Sequence, residues 1–194
     1  MSDERPYPKK DDTLFKGDID IHLNADISHW NKDLSGYAKG YRAAADFIVS
    51  GAIEGHRSYD FNVSYIVFPV VFLYRQYIEL RLKEIILLGT RINGDEHGID
   101  ELWRHARSYI ARYCTHEQLS ALGVCINEFC SFDSDGSAFR YPVDKEGKPH
   151  LPEWTVVNIR HLGETMQPIG NLLDDAADVL YMELQHVNEI HGEY

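Results

Sequence analysis

Apolar residues recur along most of this chain at spacings of three and four, the repeat that gathers them on one face of an α-helix. Over residues 32–53, Leu34, Tyr37, Tyr41, Ala45, Ile48 and Ala52 form such a stripe, and Gly51 and Gly55 are expected to mark its end. Residues 60–91 hold the run YIVFPVVFLYRQYIELRLKEIILLG, apolar on most sides, which is the pattern of a bundle's central helix. Arg75, Gln76, Glu79, Arg81, Lys83 and Glu84 interrupt it, so the stretch of about 20 uncharged residues that a membrane span needs is missing. Pro69 is expected in the first turn or at a kink, because proline removes a helical hydrogen bond and crowds the preceding turn.

A third helix, over 99–113, turns Ile99, Leu102, Trp103, Ala106, Tyr109, Ile110 and Tyr113 inward and leaves Arg104, Arg107 and Arg112 off that face. A fourth, over 115–130, begins at a Thr115/Gln118 pair with the spacing of a capping box. The last, over 159–190, follows Asn158 as its cap and carries a seam of Ile159, Leu162, Met166, Ile169, Leu173, Ala176, Leu180, Val187 and Ile190. Glu183 is the polar position in that seam, and Pro168 is expected to kink the helix near its start. Between the fourth and fifth helices, Pro142, Pro149, Pro152 and a turn around Gly147 predict a loop with a short β-hairpin over 137–157. Residues 1–31 show little periodicity and read as an extended arm, with a short strand expected at 18–23. The pattern as a whole predicts an all-α fold, a five-helix up-and-down bundle over 32–194 with a short β-hairpin or loop insertion before the last long helix.

Composition narrows the function classes. With 194 residues, 44% of them hydrophobic, the chain can build one core without a disulfide or metal staple. The three cysteines, Cys114, Cys125 and Cys130, are odd in number and lack CxxC spacing, which suits a reducing compartment. The opening MSDERPYPKKDD has no apolar core, so a secretory leader is not expected and a cytoplasmic location is. The net charge is −12, and residues 161–194 supply seven acids and no lysine or arginine, whereas 56–112 carry seven acids and eight bases. No segment has the basic excess of a duplex-binding surface, so DNA is excluded as a partner and charge gives RNA no support. The acidic last helix is expected to face solvent or a basic protein partner.

Candidate chemistry is sparse. Arg75, Glu79 and Lys83 share a helix face; they read either as an ion-pair ladder on a solvated side or as the lining of a cleft or dimer seam. Ten histidines are present without HExxH, and Glu183/His186 is a single ExxH where a di-iron bundle needs two, so no metal or other cofactor is expected. Residues 133–137, DSDGS, begin like a calcium loop, but Ala138 and Asp144 stand where glycine and glutamate are required, and a helix-terminating turn is expected instead. Nucleophile-elbow, phosphate-loop, dinucleotide and zinc motifs are missing. A small-molecule pocket lined by tyrosines with Arg75, Glu79 and Arg140 is a further possibility on residue types alone.

The run YIELRLKEIILL at 77–88, HGIDELW at 97–103 and SAFRYPVDKEGKP at 137–149 resemble a group of bacterial all-helical proteins similar in layout to the HEPN-like superfamily, over roughly residues 60–190. The resemblance implies a small helical bundle, often dimeric, of a stress, toxin–antitoxin, phage-defence or RNA-processing system. Active members of that superfamily are metal-independent ribonucleases with an arginine and a following histidine. Here Arg112 and His116 are separated by three residues and Arg91 and His97 by five, while Arg104–His105 and Arg160–His161 lack the second histidine. In such chemistry the histidine would move the proton and arginine would stabilise the phosphorane. The lead expectation is a homodimeric binding or regulatory module. The alternative is a metal-independent endoribonuclease using Arg112 and His116, or Arg91 and His97, with Arg104 or Arg140 on phosphate.

Overall fold

The computed structural model describes residues 14–15, 19–25, 27, 33–55, 62–91 and 98–192. The chain divides into two units, Met1–Lys32 and Asp33–Tyr194. In the first, Ile21–Leu23 forms a single 3-10 turn in place of the strand expected at 18–23, and Asp18 lies outside the described residues. The Asp20 carboxylate accepts from the His22 backbone N–H at 3.2 Å, a local bond that competes with extended pairing.

The second unit is all-helical: α1 (Leu34–Gly55), α2 (Val63–Thr90), α3 (Ile99–Ile110), α4 (His116–Phe132) and α5 (Ile159–His191). The caps explain the boundaries. Asn62 accepts from Ser64 N–H at the start of α2, the Thr115/Gln118 capping box opens α4 as expected, and Asn158 opens α5 by accepting from His161 N–H. Gly51 does not end α1; the helix runs through it to Gly55. The third helix stops at Ile110, three residues earlier than its apolar pattern suggests, although Tyr113 still packs partly against the core.

Helix α2 is central, packing against α1, α3 and α5, and its buried positions Val70, Tyr74, Tyr77, Ile78, Leu82 and Ile85 occur on several sides of the cylinder. The α1 stripe runs through Ala38, Ala45, Val49 and Ala52, while Tyr37 is half exposed. The α5 seam is buried from Ile159 to Leu180, but Val187 and Ile190 are 39% and 67% exposed, so its last turns extend the apolar pattern beyond the core. Among the described residues, no helix is long and apolar enough to cross a membrane.

The segment between α4 and α5 departs from the expected hairpin. Among the described residues, a lone antiparallel bridge joins Val143 to Pro149 around a turn in which Asp144 Oδ1 accepts from Glu146 and Lys148 N–H. Prolines at 142, 149 and 152 each lack the N–H that a strand ladder would use. The segment therefore crosses the bundle as turns, burying Ala138 and Phe139 against Val71 in a small second cluster.

Candidate functional site

Arg75 and Glu79 meet as their spacing implies, Nη1 to Oε2 at 3.0 Å, and Lys83 reaches the other Glu79 oxygen at 3.0 Å. The ladder is not on a solvated face, however: Arg75 is 2% exposed and Glu79 8%. Arg75 Nε donates to the Asp133 carbonyl at 3.1 Å, Nη2 lies 3.4 Å from the Ser134 carbonyl, and the Asp133 carboxylate is 3.5 Å from Nε. The DSDGS turn is thus wrapped around an arginine guanidinium rather than a calcium ion. Gly136 has φ 80°, and a Cβ there would sit 2.7 Å from Arg75 Nη1, so the turn needs glycine for both its conformation and its closeness. Asp133 Oδ1 accepts from Ala138 N–H at 2.8 Å, which fixes the neighbouring Phe139 against α2.

Arg140 holds the same turn from outside, donating from Nε to the Gly136 carbonyl at 2.6 Å and stacking between the rings of Phe72 and Tyr141. The other sequence candidates lie apart from this group. Arg104 is exposed and 3.7 Å from Glu101. Arg112 makes two bonds to the Glu183 carboxylate, at 2.9 and 3.1 Å, and lies over the Tyr113 ring. His116, the first residue of α4, is exposed. Glu183 is therefore engaged by an arginine rather than facing His186 as a metal ligand, and burial together with this carboxylate raises the Tyr113 phenol above its ordinary range. Arg91 caps α2 in a left-handed conformation, and His97 lies outside the described residues.

Sequence reasoning missed the larger polar constellation, which ties α1, α2 and α5 together at Asp174. Arg81 Nε donates to Asp174 Oδ1 at 2.7 Å, Arg42 Nη1 to Oδ2 at 2.6 Å, and the Tyr77 hydroxyl lies 2.7 Å from Oδ1 and 2.9 Å from the Gly170 carbonyl. Arg42 also reaches Asn171, and Tyr74 donates to Asp46 at 2.7 Å. Burial is the main cause that pushes the Tyr74 and Tyr77 phenols up, helped by the Asp46 and Asp174 carboxylates respectively. Burial likewise raises the Glu84 carboxyl, opposed by its 2.5 Å pair with Arg81. The available signal was Arg81 between two leucines, a charge that had to find a partner on another helix. Through these bonds the network ties α1, α2 and α5 to one another, with Arg81 Nη2 left buried without a hydrogen-bond partner among the described residues.

A cavity lies elsewhere. A cleft of about 220 Å³ opens between α2, α4, α5 and the inter-helical segment. Its walls are Val71, Phe129, Phe132, Phe139, Leu162 and Met166, with Cys125, Glu128, Asn158, His161 and Thr165 as polar lining. None of Arg75, Glu79, Arg104, Arg112, His116 or Arg140 lines it, and no tyrosine does. Arg75 bears on it indirectly, through the turn that places the Phe139 wall. The Cys125 thiol is raised by burial and by the Glu128 charge, which makes it a poor nucleophile at neutral pH. Among the described residues, no three histidine, cysteine or carboxylate side chains gather as a metal site. Comparison of the chain with protein-family models, curated proteins and solved structures finds no match.

Proposed function

We propose that this chain is a HEPN-like, up-and-down helical bundle acting as a binding or regulatory module, and that its working site is the apolar cleft beside α5. The observation that carries the reading is the cleft's size and lining. At about 220 Å³ it exceeds the ~150 Å³ cavity that accepts benzene and falls short of the roughly 300–1,000 Å³ of sites that hold drug-sized molecules. Its phenylalanine, valine, leucine and methionine walls suit one aromatic group, a small molecule or a protein side chain, with Asn158, His161 and Thr165 available to orient it. A bacterial stress or defence setting is what the sequence resemblance implies, and the cysteine usage suits a cytoplasmic one. The acidic 161–194 segment, with Tyr181, Met182 and Ile190 exposed, supplies a second surface suited to a basic protein.

The test is titration of dilute protein with N-phenyl-1-naphthylamine, an uncharged apolar fluorophore. Saturable enhancement at one site, abolished by the cleft-filling change Thr165→Phe, is expected. Enhancement that never saturates, or that ignores Thr165→Phe, would remove the cleft as the site. The ribonuclease alternative stands second, because the Arg112 guanidinium is already engaged by Glu183. Metal-free RNA cleavage by the purified chain, lost on His116→Ala, would reverse that order.

A further inference from the structure

The lining of the cleft beside α5 includes one carboxylate, Glu128, and no lysine or arginine. Glu128 follows Cys125 by about one turn of α4 and precedes Phe129 and Phe132. It is exposed, so its charge stands where the cleft opens to solvent. The Glu128 backbone carbonyl accepts from the Ser131 hydroxyl, but among the described residues no hydrogen bond or ion pair engages its carboxylate. The carboxylates of Glu79, Asp133, Asp174 and Glu183, by contrast, each meet an arginine. The field of Glu128 also reaches inward: after burial, it is the second cause that raises the Cys125 thiol.

Three phenylalanines, Phe129, Phe132 and Phe139, share the walls. The face of each ring is the negative part of its quadrupole, so such rings attract an organic cation as well as an apolar group. Arg160 and Glu164, neighbouring charges on α5, are opposite in sign and do not line the cleft. The N-terminus of α5 pulls the other way with about half a positive charge, but Asn158 Oδ1 already accepts from His161 N–H there at 3.0 Å. The full charge of Glu128 outweighs it, and the net charge of −12 draws cations to the protein.

Resting on the reading of the cleft as a binding site, we propose that its ligand is a small organic cation, with an aromatic or branched apolar body on the walls and an ammonium group at Glu128. The volume of about 220 Å³ exceeds the ~150 Å³ that accepts benzene, leaving room for a ring with such a substituent. The walls select size, and Glu128 selects charge.

Three compounds of one shape separate these effects: phenyltrimethylammonium, tert-butylbenzene and benzenesulfonate, each a phenyl ring bearing one tetrahedral group. Their affinities are read by displacement of N-phenyl-1-naphthylamine from the full chain at low ionic strength. Phenyltrimethylammonium should bind about tenfold more tightly than tert-butylbenzene, and benzenesulfonate most weakly. The advantage of the cation should shrink as salt is added. Glu128→Gln, with its folding checked by circular dichroism, should weaken the cation about fivefold and leave tert-butylbenzene within about twofold. Equal or tighter binding of tert-butylbenzene by wild type overturns the proposal and leaves the cleft selecting on size alone. Tightest binding of benzenesulfonate overturns it in favour of the α5 N-terminus. A Glu128→Gln protein that holds the cation as well as wild type does, or that loses all three compounds alike, overturns it too. If Glu128→Gln does not fold, wild type decides: a cation affinity indifferent to salt overturns the role of Glu128. Failure of every form to bind N-phenyl-1-naphthylamine removes the underlying cleft reading instead.

Discussion

Arg81 of α2 and Asp174 of α5 form a buried ion pair across the bundle, Nε to Oδ1 at 2.7 Å, with the arginine side chain fully enclosed. Asp174 serves Arg42 and Tyr77 as well, so one carboxylate answers groups from two other helices. Asp174→Ala would leave Arg81 buried with Glu84 as its one carboxylate partner and the Tyr77 hydroxyl with only the Gly170 carbonyl. Removing one partner from a buried pair costs about 3–5 kcal/mol, so the midpoint of urea unfolding should fall sharply. Asp174→Asn keeps a hydrogen-bond acceptor and should lie between the two. A midpoint shift within measurement error for Asp174→Ala would show that the network contributes no net stability.

The two buried tyrosines make stability fall on the alkaline side. Tyr74 and Tyr77 both have phenols raised above the ordinary value of 10.0, by burial first and then by the Asp46 and Asp174 carboxylates respectively. In the unfolded chain they ionise near that ordinary value, while in the folded chain they stay protonated. Their contribution is therefore complete below about pH 10 and is lost as pH rises toward the folded value, at about 1.4 kcal/mol per pH unit for each group. Tyr77→Phe should cost stability at neutral pH yet give a shallower decline between about pH 10 and about pH 11. Urea melts across that range check it; parallel slopes for the two proteins would refute the assignment.

Gly170 is small because Arg42 crosses it. A Cβ at this position would lie 2.4 Å from the Arg42 Cζ atom, and the guanidinium is fixed by Asp174 and Asn171. Gly170→Ala favours the helix locally but displaces the arginine, for a net loss of about 1–3 kcal/mol. The loss should vanish, or turn into a small gain, in an Arg42→Ala background, where helix propensity alone remains. A double-mutant cycle read by thermal unfolding decides this. Equal effects of Gly170→Ala with and without Arg42 would place the strain in the backbone instead.

Much of the bundle was legible in the sequence because helix periodicity and capping are local. The Thr115/Gln118 box and the Asn158 cap fall where the residues put them, and α5 is buried along the seam from Ile159 to Leu180. The Arg75–Glu79–Lys83 ladder was legible as a pairing but not as a buried one, since its burial depends on a turn 58 residues away folding over Arg75. Of the Asp174 network only the need of Arg81 for a partner was legible: α1, α2 and α5 each show isolated charges, and which carboxylate meets which arginine is set by helix packing. The same holds for the cleft, whose walls come from three helices and a proline-rich segment. That segment is the loop the prolines predict, but its β-branched and aromatic residues, which resemble strand residues, form a single bridge rather than a hairpin and line a cavity and a surface.

Cys125 offers a direct report on the cleft. Its thiol is raised by burial and then by Glu128, so at neutral pH its thiolate share lies below that of an ordinary cysteine. Labelling by N-ethylmaleimide should be slow near neutrality, accelerate only as pH rises past the ordinary thiol range, and quicken in Glu128→Gln, which removes the second cause. Cys114 and Cys130, also raised by burial, are not among the cleft residues and provide internal controls. Peptide mapping should show that N-phenyl-1-naphthylamine protects Cys125 and spares Cys114. Equal protection of all three cysteines would point to tightening of the whole bundle, and no protection at Cys125 would place the fluorophore outside the cleft.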